Sequence, residues 1–148
     1  MPAADRTRRS RRRLLLIAVL LLGTYPTFVL GTTYAITLRS GLEGGTHGPA
    51  DAYRHSLASS IVAWTSSPRF VEWTTAVMEG DDDAASHRMD AHNNRVGIRL
   101  AARASDWTAL LRSVRAAVNA GSPIDEARLA DPDRIVWLPP ELWLDRLW

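Results

Sequence analysis

An uncharged run of 25 residues, from Leu14 to Leu38, constrains this chain more than any other feature, and a strongly basic leader precedes it. Six arginines lie among the first 13 residues. A membrane-spanning helix needs about 20 predominantly apolar residues, and basic residues beside a span stay in the cytoplasm. The pattern predicts a basic cytoplasmic leader over 1–13, a transmembrane or signal helix over 14–38, and a C-terminal domain on the periplasmic side of the inner membrane.

The same run leaves two fates open. A signal peptide has an apolar core of about 7–15 residues and a small-residue cleavage site, and Val29-Leu30-Gly31 is a candidate for that site. The segment Ser10–Leu15 also resembles a twin-arginine export signal. The uncharged run is longer than a typical signal core, which favours an uncleaved anchor. Both fates place the domain outside the cytoplasm, either anchored in the membrane or exported after cleavage.

Composition narrows the chemistry of the remaining chain. All 18 basic residues are arginine, and there is no cysteine. Disulfides and thiolate metal sites are therefore excluded, so any metal must bind to histidine, carboxylate or amide ligands. From Arg39 onward, the chain contains twelve arginines and fifteen acidic residues, which gives this part a net charge of −3. A nucleic-acid partner is not expected, because that role needs clustered basic residues on the domain itself.

The part after the uncharged run reads as a Gly-rich linker over 39–49 and a helical domain over 50–148. Apolar residues at helical spacing, with capping residues before them, predict the helices. The predicted fold class is all-α, a small bundle of four or five helices after the N-terminal transmembrane or signal helix. The tail after Ile135 has room for one short strand at most, and its tryptophans either close a small core or meet a membrane interface. The helices are expected at about 50–65, 68–78, 84–103 and 106–120, with a short turn near 123–129.

Two of these helices carry unusually dense polar groups. On the first, Asp51 and His55 are four residues apart and share a face, with Arg54 beside them. On the third, His87, Asp90 and Asn94 share a face, and Asn93 adjoins Asp90. Gly97 lacks a side chain, so another backbone or a ligand can approach it closely. Polar groups on packed helices cost free energy unless they are paired, so we expect the two faces to meet in one pocket.

The chemistry of such a pocket allows three interpretations. In the first, a divalent metal such as zinc is held by His55, Asp51 and Asp90, and a coordinated water attacks the substrate. In the second, an aspartate orients His55 as a general base without a metal. In the third, the same groups only lock the helices together. The candidate catalytic residues are His55, Asp51, Glu79 and Asp90, and the candidate substrate-binding or supporting residues are Arg54, Asn93, Asn94 and His87.

The segments Gly48–His55 and Met89–Gly97 resemble an uncharacterised bacterial domain family with the patterns G-x-x-D-A-x-R-H and M-D-x-H-N-N-x-V-G. Domains of this kind occur at the C-terminal ends of RHS-repeat and wall-associated proteins, positions often held by secreted toxins. The resemblance covers about 48–102 and implies that Asp51, Arg54, His55, Asp90, Asn93 and Asn94 form one site. The family's intervening H-E pair falls on Met78-Glu79, so this chain lacks that histidine.

These observations favour an exported or membrane-anchored envelope hydrolase of the toxin-like class. Its predicted partners are the membrane, through 14–38, and the lipid or peptidoglycan of the cell envelope. The alternative is a non-enzymatic membrane-anchored interaction module in which the same polar residues form a structural network. The need for a cofactor, the identity of any metal and the substrate stay open at this level.

Overall fold

The computed structural model describes the backbone of residues 3–67 and 85–146, and within the first helix it describes the side chains at 11–15, 17, 19 and 23–38. The helix predicted over 68–78 and the candidate residue Glu79 lie outside the described residues. The described chain is mostly helical, as the sequence predicts. It divides into two compact units, Met1–Thr32 and Thr33–Trp148.

Helix α1 spans Ala3–Leu38 and contains Pro26. Pro26 cannot donate a backbone hydrogen bond, and next to it the Thr27 hydroxyl donates to the carbonyl of Gly23 over 2.8 Å. Among the described residues, no helix combines the length and the apolar character that crossing a membrane requires. That finding does not support the predicted transmembrane span, although α1 covers the whole of 14–38.

Among its described residues, the second unit contains three longer helices after the end of α1. Their positions agree closely with the predicted ones, and the short elements follow them near the C-terminus. The elements are α2 (Pro49–Thr65), α3 (Ala85–Arg103), α4 (Trp107–Asn119), β1 (Ser122–Pro123), α5 (Glu126–Ala130), β2 (Val136–Trp137) and a 3-10 turn (Pro140–Leu142).

Helices α2 and α4 begin where the chain supplies a partner for their free N–H groups. Asp106 precedes α4, and its carboxylate accepts from the N–H of Ala109 over 2.8 Å. At α2 the Gly48 cap offers no side chain. Carbonyls of the preceding loop take over that function, since Glu43 accepts from the N–H of Ala50 over 2.9 Å. The Gly-rich segment predicted as a linker is therefore tied to the start of α2.

The apolar faces of α2, α3 and α4 form the core of the second unit. Their buried residues recur every three or four positions, the spacing of one helix face. The C-terminal segment adds three more buried side chains. These buried side chains include Leu57 and Ile61 on α2, Met89 and Val96 on α3, Leu110, Val114 and Val118 on α4, and Ile135, Val136 and Leu138 on the C-terminal segment.

Helices α2 and α3 approach each other closely at Gly97. A Cβ atom at this position would collide with the carbonyl oxygen of Ser56 and the hydroxyl of Ser59. Both serine hydroxyls are satisfied within α2, where they donate to the carbonyls of Ala52 (2.7 Å) and His55 (2.8 Å). Small, internally satisfied residues on one helix and a glycine on the other thus bring the two backbones together.

A short parallel pairing joins the two ends of the C-terminal region. Ser122 pairs with Val136 and Pro123 with Trp137, and the N–H of Ile124 donates to the Trp137 carbonyl over 2.7 Å. The sequence predicts one short strand at most here. The pairing escapes such a prediction because each strand has only two residues, too few to show alternation.

The C-terminal segment packs onto the helices. The Asn93 amide donates to the Val136 carbonyl over 2.7 Å and accepts from the Val136 N–H over 3.0 Å. A ring nitrogen of His92 lies 2.6 Å from the Arg134 carbonyl. The indole of Trp143 donates to the carbonyl of Leu138 over 2.7 Å. Side chains of α3 thus hold the tail by its backbone.

The close approach at Gly97 makes a direct prediction. Gly97→Ala forces the α2 and α3 backbones apart, and overpacking of this kind costs about 1–3 kcal/mol. Urea unfolding of the full chain, followed by circular dichroism, measures this loss. Gly31→Ala is the matched control, because Gly31 is also helical and has no described atom within 4 Å of the new methyl group. Equal stability of the Gly97→Ala protein and the parent would contradict the packing described here.

Candidate functional site

Asp51 lies near the start of α2 and is only 3% exposed. Its Oδ2 accepts from the N–H of His47 over 2.6 Å, and its Oδ1 accepts from Arg54. Arg54 also donates to the carbonyl of Gly45 over 2.9 Å. A buried carboxylate is tolerated where charge and hydrogen bonds compensate it, so the preceding loop and Arg54 hold Asp51 in one orientation.

His55 faces two carboxylates at once. Its Nε2 lies 3.4 Å from Oδ1 of Asp51 on the same helix and 3.5 Å from Oδ1 of Asp90 on α3. One ligand atom from each of the three residues lies within 4.8 Å of the other two. The structure thus brings together three of the residues that the sequence marks as candidate ligands.

The separations within this cluster are informative. At 3.4 and 3.5 Å, they are longer than an N–H···O hydrogen bond, which is typically about 2.9–3.0 Å. A tetrahedral zinc ion with ligands at about 2.0–2.1 Å places those ligands roughly 3.3–3.4 Å apart. The two distances are therefore compatible with long hydrogen bonds or ion pairs between His55 and the carboxylates and also with ligands around one cation, and the Asp51 and Asp90 ligand atoms lie within 4.8 Å of each other.

Asp90 carries the least compensated atom of the cluster. Its Oδ1 is buried and accepts no hydrogen bond from the described residues. A buried acceptor of this kind normally has a partner in a protein, in water or in a ligand. This oxygen lies 3.5 Å from His55 Nε2, within ion-pair distance of a protonated imidazole.

Burial and the charges of the neighbouring side chains shift the pKa values of Asp51, His55 and Asp90. Burial alone would raise the pKa of Asp51, but the hydrogen bond with His55 and the charges of His55 and Arg54 lower it. Burial would lower the pKa of His55, but the hydrogen bond with Asp51 and the charges of both carboxylates raise it. Burial raises the pKa of Asp90, and the Asp51 charge adds to that effect. His55 consequently holds its proton to higher pH than a free imidazole does.

Of the other residues that the sequence predicts for the site, some contact the cluster and others do not. Arg54 contacts the cluster directly through Asp51. Both polar atoms of the Asn93 side chain are bonded to the backbone of Val136, so Asn93 faces the tail and not the cluster. Asn94 and His87 are partly buried on α3, and Glu79 is beyond the described residues.

His47 is the site neighbour that sequence reasoning missed. It lies in the segment predicted as a linker, yet its N–H binds Asp51 and its positive charge, when protonated, acts on Asp90. Its backbone has a φ of 67°. A signal for it exists in the sequence, because a histidine among glycines directly precedes the polar pattern that begins at Gly48.

No curated protein and no solved structure matches the chain. The profile of one family, described as Domain of unknown function (DUF6973), matches residues 24–122. That range includes both helices that supply the cluster and covers more than half of the chain. The match agrees with the resemblance to an uncharacterised domain that the sequence suggests. The chain therefore belongs to the DUF6973 family of domains of unknown function.

Proposed function

We propose that this protein is a metal-assisted hydrolase of the cell envelope, with a divalent cation such as zinc held by Asp51, His55 and Asp90. One observation carries the proposal: ligand atoms from two helices lie within 4.8 Å of one another, with His55 Nε2 3.4 Å and 3.5 Å from the two carboxylates. The buried Asp90 oxygen without a hydrogen bond supports it. Two carboxylates and one imidazole form a ligand set that suits zinc and leaves a coordination position open.

The roles of the residues follow from their contacts. A divalent cation held by this trio would lower the pKa of a bound water and polarise the bond to be hydrolysed. Arg54 and the N–H of His47 hold the Asp51 carboxylate in orientation, as groups around metal ligands commonly do. His55 must release its proton before Nε2 can bind a cation. Glu79 is the proposed general base, on sequence grounds alone.

The proposed location in the cell envelope rests on the N-terminal sequence and on the family resemblance. Six arginines precede the uncharged run, and this asymmetry favours a cytoplasmic N-terminus and an extracytoplasmic domain. Similar domains at the ends of RHS-repeat and wall-associated proteins fit export. In that compartment, lipid esters and peptidoglycan bonds are the substrates within reach of the site.

A second candidate function is a non-enzymatic, membrane-anchored interaction module. The contacts of Arg54, His92 and Asn93 favour it, because all three side chains bond to backbone or side-chain groups of the fold itself. In this interpretation, the Asp51–His55–Asp90 cluster is one more element that cements α2 to α3. Such a cluster would bind no cation and would support no turnover.

Cation binding separates the two candidates. We expect the purified full chain to bind one zinc ion, with an affinity that rises with pH through the raised pKa of His55, because the proton and the cation compete for Nε2. His55→Ala and Asp90→Asn should each weaken zinc binding on the order of 100-fold or more, since even the partners of metal ligands contribute about 10–100-fold. Calorimetry in two buffers of different ionisation enthalpy measures the affinity and the released protons.

Glu126→Gln is the control for loss of a carboxylate, because Glu126 on α5 is 88% exposed and forms its ion pair with Arg88 and not with a cluster residue. Its zinc affinity should equal that of the parent. If the parent chain is folded and binds no divalent cation between pH 6 and 9, the metal-site proposal is wrong.

Hydrolysis is tested on the two reachable substrate classes. We expect the zinc-loaded chain to release products from either extracted envelope lipids or purified peptidoglycan, detected by mass spectrometry. A chelator, His55→Ala and Asp90→Asn should each abolish that release, whereas Glu126→Gln should retain it. A folded, zinc-loaded parent that releases nothing from either substrate would contradict the proposed hydrolysis of these two substrate classes.

Membrane topology is tested independently of the site. A reporter that is active only outside the cytoplasm, fused after Trp148, should be active. Replacing the six leader arginines with neutral residues should reduce that activity, because the leader supplies the orientation signal. Activity of a cytoplasm-only reporter at the same position would contradict the proposed extracytoplasmic location of the domain.

A further inference from the structure

We infer that Tyr34 is a positioning residue of the proposed cation site: its ring holds the Arg54 guanidinium, and through it the Asp51 carboxylate, in the orientation that cation binding requires. This inference rests on the proposed function, because it assigns a further residue to that same site. Tyr34 lies in the last turns of α1 and belongs to the second unit, Thr33–Trp148. It falls within the uncharged run, so its role has no signal in the sequence.

Arg54 is the link between the Tyr34 ring and the cluster. One terminal nitrogen of its guanidinium donates to the Gly45 carbonyl over 2.9 Å, and the other donates to Oδ1 of Asp51. The same Oδ1 lies 3.4 Å from Nε2 of His55, so it is the Asp51 atom closest to the second proposed ligand. A change in the orientation of Arg54 would therefore release a proposed ligand atom from its hydrogen bond.

The Tyr34 ring attracts the guanidinium without competing for its hydrogen bonds. The Cζ atom of Arg54 lies 5.7 Å from the ring centroid, within the roughly 6 Å over which an aromatic face attracts a cation. A planar guanidinium donates from its edge and stacks through its face, so both kinds of contact coexist. The Arg54 side chain is only 15% exposed, and the attraction is stronger for a cation that has lost water.

The residues around Tyr34 hold this part of α1 in the second unit. Thr33 precedes it and Thr37 follows it, and both threonines are buried. The last turns of α1 are thus packed in the same unit as the cluster. Cleavage at the candidate signal site Val29-Leu30-Gly31 would leave Tyr34 attached to the domain, so the inferred role holds for an anchored and for an exported protein.

Three replacements separate the electrostatics of the ring from its bulk. Tyr34→Leu removes the aromatic face but retains an apolar side chain that favours a helix, and Tyr34→Phe retains the face. Replacement of Tyr34 by pentafluorophenylalanine retains the shape but reverses the charge distribution of the ring, so it tests the contact even if Tyr34→Leu fails to fold. Tyr25→Leu is the matched control, because it removes a tyrosine from the same helix within the first unit, Met1–Thr32.

Two measurements on the full chain report on the contact. Calorimetry gives the zinc affinity, with circular dichroism to establish folding. Nuclear magnetic resonance gives the hydrogen-exchange rate of the Arg54 guanidinium N–H groups in the metal-free chain, which a purely structural role of Tyr34 would not change in the fluorinated variant.

We expect Tyr34→Leu and the fluorinated variant to lower zinc affinity about tenfold, the lower end of the range for the partners of metal ligands. Both should also speed exchange at Arg54 several-fold. Tyr34→Phe and Tyr25→Leu should match the parent in both measurements. In an Arg54→Met background the fluorinated ring should cause no further loss of affinity, because its effect passes through Arg54.

Parent-like zinc affinity or parent-like exchange in the fluorinated variant overturns the inference. A further loss in the Arg54→Met background overturns it as well, and so does a Tyr34→Phe protein that loses as much affinity as the fluorinated one. A parent that binds no zinc refutes the proposed function instead, and the exchange rate at Arg54 then still decides whether Tyr34 holds the guanidinium.

Discussion

The contact between α2 and α3 at Gly97 is the constraint on which the rest of the second unit depends. Without a side chain there, α3 reaches the backbone of α2 at Ser56. On α2, His55 directly precedes Ser56 and Asp51 lies five residues before it, and on α3 Asp90 lies about two turns before Gly97. Close backbone packing thus places side chains from two helices within reach of one another, as shown by the 3.5 Å between His55 Nε2 and Asp90 Oδ1.

Burying two carboxylates close together costs electrostatic free energy. The fold compensates Asp51 with hydrogen bonds but does not compensate Oδ1 of Asp90 in the same way. Asp51 receives hydrogen bonds from the His47 N–H and from Arg54, and its pKa falls despite burial. Asp90 has no such bonds at Oδ1, and its pKa rises. A purely structural network would be expected to satisfy both carboxylates. The imbalance is what a cation or a substrate group at the centre of the cluster would correct.

Much of this arrangement could be predicted from the sequence, and the failures have physical reasons. The helices that carry Asp51 and Asp90 follow from apolar periodicity and caps, and the close approach at Gly97 follows from its missing side chain. The role of Asn93 could not be predicted, because its partner is the backbone of Val136, 43 residues away. His47 was missed because a left-handed residue held by a distant tail leaves no periodic signal. The Gly-rich loop looked like a linker because its hydrogen bonds to Leu138 and Leu144 are non-local.

A crystal structure of the full chain grown with zinc, with diffraction data collected on both sides of the zinc absorption edge, tests the central claim most directly. The claim predicts one strong anomalous peak about 2.0–2.2 Å from Oδ1 of Asp51, Nε2 of His55 and Oδ1 of Asp90. An anomalous map with no peak among these three atoms, in crystals that bind zinc elsewhere or not at all, would contradict it.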